Sequence, residues 1–184
     1  MIRKSKIIML ISVFSVIILL SWYVSSNQME SVDVISEPIT VEFINEAGEQ
    51  IGKALLAEEN GAVSLTVNVH GLSPGEHGFH FHEVGVCEKP EFESAGGHFN
   101  PADKKHGFNH PEGYHAGDMK NVWADSNGEV NSTLIVDHVN LEEEGNHSLL
   151  DEDGTSIVIH QLSDDYISDP SGNSGSRIAC GTIK

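Results

Sequence analysis

Residues Phe79-His80-Phe81-His82 alternate an aromatic ring with an imidazole. Successive side chains of a β-strand point to opposite faces, so as a strand this stretch sends Phe79 and Phe81 to one side and His80 and His82 to the other. One side can enter a core while the other presents two metal ligands. The stretch from His77 to Asp118 holds seven of the chain's eleven histidines within 42 residues. Of these, His98, His106 and His115 lie in a segment rich in Gly and Pro, and Asp118 follows His115 by three positions. Imidazoles with one carboxylate are the ligands expected for copper and zinc. Taken singly, each histidine reads as a surface or hydrogen-bonded core residue. Clustered on one strand and its adjoining loop, and ending in H-x-x-D, they read as a metal site.

The N-terminus reads as a targeting segment. Arg3, Lys4 and Lys6 precede Ile7 to Leu20, an apolar run of 14 residues. This order predicts a signal peptide or an N-terminal membrane anchor over residues 1–26. Counting on through Trp22 and Tyr23 to Val24 gives 18 residues, the lower limit of a membrane-spanning helix. Val24-Ser25-Ser26 offers a small-residue cleavage site, and the aromatic pair would equally serve as an interfacial anchor. Either way the rest of the chain is expected to be exported: secreted, periplasmic, or held on the outer face of the cytoplasmic membrane. Residues 27–38 are a polar, acidic tether, and 39–184 suffice for one domain with a real core.

The formal net charge is −18. Three basic residues and no acidic one precede the apolar run, leaving 7 basic against 28 acidic residues, or −21, beyond it. So acidic a surface argues against nucleic acid and anionic lipid as partners, with membrane contact confined to an uncleaved N-terminus.

From Ile39 onward short β-runs alternate with turn signals. Candidate strands are Ile39–Asn45, Gln50–Glu58, Ala62–His70, Gly78–Val84, Lys120–Asp125, Glu129–Asp137, Ser156–Gln161 and Arg177–Thr182. Glu46-Ala47-Gly48, Asn60-Gly61, Ser73-Pro74-Gly75 and Asn127-Gly128 mark turns. Eight antiparallel strands predict an all-β barrel or sandwich. Two long loops interrupt the rhythm, residues 88–117 and 162–176, and loops of that length in a compact domain are commonly functional. The strand ending at His160 leads into the second, which opens with Asp164 and Asp165.

GFHFHE, GGHFNP, HAGD and the terminal GSRIACG occur in the order in which the copper/zinc superoxide dismutase family carries them, and the chain resembles that family from about Ile39 to its end. The resemblance implies a Greek-key β-barrel that converts superoxide anions to oxygen and hydrogen peroxide. It implies a copper held by His80, His82, His98 and His160. It implies a zinc held by the shared His98 with His106, His115 and Asp118. His98 would release copper on reduction and take up a proton, Asp164 would bridge a ring of each set, and Arg177 would attract and orient the anion. A homodimer is compatible with the family. The second loop is shorter than in many members, which bears on the charged residues that guide substrate in some of them.

Zinc would then have a closed set of three nitrogens and a carboxylate, as a structural zinc requires, and copper would keep an axial face for a small ligand. His77 is expected to make a structural hydrogen bond beneath the site, and His70, His110, His138 and His147 to lie on the surface. Cys87 and Cys180, 93 positions apart in an exported domain, predict a disulfide beside Arg177 rather than free buried thiols. Two other functions fit parts of this pattern: a copper/zinc carrier or buffer without turnover, and a non-catalytic surface domain needing zinc alone. An arginine beside the metals favours the enzyme, since storage has no use for it.

Overall fold

The computed structural model describes residues 37–143 and 145–184; the leader and nearly all of the tether lie outside the described residues. The strands are β1 (Ile39–Asn45), β2 (Gln50–Glu59), β3 (Ala62–Val69), β4 (Gly75–His77), β5 (Phe79–His82), β6 (Val122–Ala124), β7 (Val130–Val136), β8 (Thr155–His160) and β9 (Arg177–Ile183). A single 3-10 turn, Glu93–Ala95, is the only helical element among the described residues. Seven strands form one curled antiparallel sheet in the order β5-β8-β9-β1-β2-β3-β7, and β4 pairs with β6 in a second. This is the all-β barrel architecture expected.

The ninth strand is β4 (Gly75–His77), which lies before the strand expected from Gly78, and the chain changes partner at Gly78. His77 pairs with Val122 of β6, whereas Phe79 pairs with Ile159 of β8. The Asn60-Gly61 signal is a two-residue hairpin joining β2 to β3: both residues have positive φ, 54° and 77°, as a type I′ turn demands.

Alternation along the strands builds the core. Val41 and Phe43 of β1, Ala54 and Leu56 of β2, Val63, Leu65 and Val67 of β3, and Ile157 and Ile159 of β8 all point inward and are fully buried. Phe79 and Phe81 join them, each such ring contributing about 1.5–3 kcal/mol by leaving water. The opposite face of β5 and β8 carries His80, His82, Val158 and His160, all buried because the two long loops fold over them. There Val158 packs with Phe92, Ala95 and Cys180 in a small second core.

The first long loop is anchored to the outer edge of β5 by backbone pairing. Phe99 N–H donates to Phe81 O at 2.9 Å, and Phe81 N–H donates to Gly117 O at 2.9 Å. The close approach needs a glycine, since a Cβ at position 117 would lie within 2.9 Å of Phe99 N and closer still to Phe81 O. The disulfide joins Cys87, at the head of the loop, to Cys180 on β9, with Cα atoms 5.8 Å apart.

Candidate metal centre

The edge pairing of the first loop sets the site. Through it His98 comes opposite His82, and Asp118 opposite His80. β8 runs beside β5 on its other side and ends at His160. Four imidazoles thus converge, those of His80, His82, His98 and His160, each offering a nitrogen within 4.8 Å of the others.

One nitrogen of each ring is already committed. His82 Nδ1 lies 3.0 Å from Gly96 O, His160 Nδ1 lies 3.3 Å from Gly175 O, and His80 Nε2 lies 2.9 Å from Asp164 Oδ2. His98 Nδ1 faces Asp118 Oδ1 at 2.9 Å. The remaining nitrogens, His80 Nδ1, His82 Nε2, His98 Nε2 and His160 Nε2, are buried with no hydrogen-bond partner. Four orphaned polar atoms facing one another would be costly unless a cation satisfied them. Burial, with neighbouring imidazoles, lowers His98 to about 3 and His160 to about 2; burial also lowers His80 and His82. The rings are therefore neutral at pH 7, and each keeps a lone pair for a metal.

The second group shares His98. Nδ1 of His98, His106 and His115 stand 2.9, 3.0 and 3.2 Å from a single oxygen, Asp118 Oδ1, and the His98 and His115 nitrogens are 3.4 Å apart. Zinc bonds of about 2.0 Å in a tetrahedron give ligand–ligand edges of about 3.3 Å, so the spacing suits a zinc set. Asp118 Oδ2 accepts N–H bonds from Gly107 at 2.8 Å and His115 at 3.0 Å, which fixes the carboxylate. Despite its burial, contacts with Asp118 and Asp164 raise His106 to about 9. A proton there balances two carboxylates, the role a cation would otherwise fill.

Asp164 ties the groups together. Its Oδ2 meets His80 and its Oδ1 meets His106 Nε2 at 3.0 Å, and it is buried. His106 and His80 hold its carboxyl well below the usual range, against the effect of burial. The donor sets accordingly fit both metals: four neutral imidazoles for copper, three imidazoles and a carboxylate for zinc, with a carboxylate orienting one ring of each.

Arg177 lies beside the first group. Its Nη1 donates to Phe92 O at 2.6 Å and its Nη2 to Gly96 O at 2.7 Å. It lines a cavity of about 580 Å³ with His82, His98 and His160, where Glu83 and Asp103 are the acidic members. His77 lies beneath, its ring spanning His160 O at 2.7 Å and Ser73 O at 2.8 Å, as expected. His70 and His147 are exposed, while His110 and His138 are half-buried, and none of the four joins either cluster.

Other contributors carry little or no signal in the sequence. The carbonyls of Gly96 and Gly175 orient His82 and His160, and the glycine pair before His98 was the one visible hint of the first. Asn121 clamps the Asp164 backbone from 43 positions away and carries no sequence signal.

The sequence model described as copper/zinc superoxide dismutase matches residues 50–183. A copper/zinc superoxide dismutase of Aquifex aeolicus is 51% identical over 144 residues, covering 78% of this chain and 84% of that protein. A superoxide dismutase-like protein of Bacillus subtilis is 41% identical over 145 residues, 78% of this chain and 74% of the relative. The crystal structure of a SOD-like protein from Bacillus subtilis superposes with a TM-score of 0.77 at 39% identity, over 79% of this chain and 97% of that one. Copper/zinc superoxide dismutase from Brucella abortus gives a TM-score of 0.66 at 31% identity, over 80% of this chain and all of its own.

Proposed function

The chain belongs to the copper/zinc superoxide dismutase family, an oxidoreductase with copper and zinc as its metals, and from that premise we propose how its residues divide the work. His80, His82, His98 and His160 hold copper; His98, His106, His115 and Asp118 hold zinc. The observation that carries this reading is the set of four buried, partnerless imidazole nitrogens facing one another.

Copper held by these four imidazoles would supply the one-electron redox chemistry by which two superoxide anions and two protons become oxygen and hydrogen peroxide. Zinc has no redox chemistry and is structural. The protein's own residues supply geometry and protons. Gly96 O and Gly175 O fix the ring orientations of His82 and His160, so that Nε2 of each faces the shared space. Asp164 does the same for His80 and His106. His98 faces both sets, and its Nε2 is the atom at which we place one of the two product protons.

Arg177 is the one Lys or Arg lining the cavity over these rings. Two of its five N–H groups are spent on carbonyls, which leaves donors and a full positive charge for a small anion. We further propose that residues 1–26 export the chain, that 27–38 tether it and that 39–184 form the enzyme. The disulfide suits an oxidising compartment.

Stopped-flow decay of superoxide with copper- and zinc-loaded protein tests this reading. Second-order decay far above the spontaneous rate is the expected result. A chain that binds both metals and leaves the decay unchanged is a carrier instead.

A further inference from the structure

We infer that Lys120 is a positioning residue for the zinc half of the site, acting through the two aromatic rings that enclose its ammonium. The inference rests on the zinc set proposed above. Lys120 Nζ lies 4.4 Å from the ring centroid of Phe108 and 4.8 Å from that of Tyr166, whose rings are 5.9 Å apart. The chain carries 28 acidic residues, yet among the described residues this ammonium makes no ion pair and is held by two π-faces instead.

The three residues are placed alike. Phe108 is two positions after His106, Lys120 two after Asp118, and Tyr166 two after Asp164. Each therefore belongs to a different segment that delivers a group to the zinc side. A cation attracted to both rings draws the first long loop, the chain after Asp118 and the second long loop onto one point.

Tyr166 transmits that attraction to Asp164. Its φ of 63° is in the left-handed region, which a non-glycine residue keeps only when its surroundings impose it. Its N–H donates to Asp164 Oδ1 at 2.6 Å, its hydroxyl accepts from Asn121 N–H at 2.8 Å, and its carbonyl accepts from Asn109 N–H at 2.9 Å. Asn121, next to Lys120, closes the loop: its Nδ2 donates to Asp164 O at 3.0 Å and its Oδ1 accepts from Asp164 N–H at 2.9 Å. Remove the cation and the two rings lose their common partner. Tyr166 then holds Asp164 less firmly, and His106 loses the acceptor that aims its Nδ1 at the zinc set.

Zinc affinity, measured by competition with a chromophoric chelator, tests the inference, alongside the d–d spectrum of cobalt(II) loaded in place of zinc. Lys120→Met keeps the apolar stem and removes the charge. It is expected to weaken zinc about tenfold, the low end for groups that orient a ligand from outside, and to alter the cobalt bands. Phe108→Leu should do the same, and Lys120→Arg should bind within about twofold of wild type. If Lys120→Met and Phe108→Leu bind zinc as tightly as wild type, whatever their melting temperatures, the inference is overturned. A wild-type protein that takes up no zinc would overturn the zinc set itself, and this inference with it.

Discussion

His82 and Arg177 donate to the same carbonyl oxygen, that of Gly96, at 3.0 and 2.7 Å. One residue of the copper set and the one cation of the cavity are thereby fixed to one atom. Gly96 closes the short turn Glu93–Ala95, whose Ala95 packs with Phe92, Val158 and Cys180. The disulfide thus holds the platform on which both side chains are aligned.

Breaking the Cys87–Cys180 bond is expected to lower stability by on the order of 4 kcal/mol in the chain-entropy model, its loop spanning 93 positions. The rate of superoxide decay should fall as well, with copper retained, because Phe92 O and Gly96 O no longer hold Arg177. Denaturant titrations with and without reductant, paired with metal analysis, check this. Equal stability in the two redox forms would count against it.

Arg177 is the only arginine beyond the leader. The net charge of −21 beyond the apolar run is screened at about 8 Å in physiological salt, whereas a guanidinium in the cavity is not. Arg177→Glu should slow the second-order rate most, Arg177→Ala less and Arg177→Lys least, with both metals kept. The wild-type rate should fall as ionic strength rises. A rate that climbs with salt would mean that Glu83, Asp103 and the wider acidic surface dominate.

The two metal sets should separate by mutation. His160 belongs to the copper set alone, so His160→Ala is expected to abolish dismutation and leave one zinc per chain. Asp118→Asn should loosen zinc first and reduce turnover indirectly. Near-normal turnover in His160→Ala would remove that residue from the copper set.

Gly172 offers a test of the Asp164 bridge that replaces none of the proposed ligands. Its φ is 63°, and a Cβ there would overlap Asp164 Oδ1 and come within 2.7 Å of His106 Nε2. Gly172→Ala is expected to push Asp164 off His106 and weaken zinc by about 10- to 100-fold, as loss of a group orienting a metal-bound imidazole does. Unchanged zinc affinity would show that Asp164 yields without cost.

What was legible in the sequence was local. The two-residue period of a strand alone separates Phe79 and Phe81 from His80 and His82. The spacing of His115 and Asp118 suffices for a contact that stays within four residues, His115 N–H to Asp118 Oδ2. Asn60-Gly61 states its own turn. The strand reading missed β4 and ran two residues long at the end of β5 and the start of β6; at Gly78 the chain exchanges β6 for β8, an event set by partners that lie elsewhere. Tertiary structure decided the rest. His160 reaches His80 only because β8 pairs with β5, and Arg177 reaches Gly96 across 81 positions. Which nitrogen of each imidazole is left for a metal was likewise undecided until Asp164, Gly96 and Gly175 had taken the other. Side-chain period follows from backbone geometry and is written along the chain, whereas the aim of a ring depends on a hydrogen-bond partner that only packing brings near.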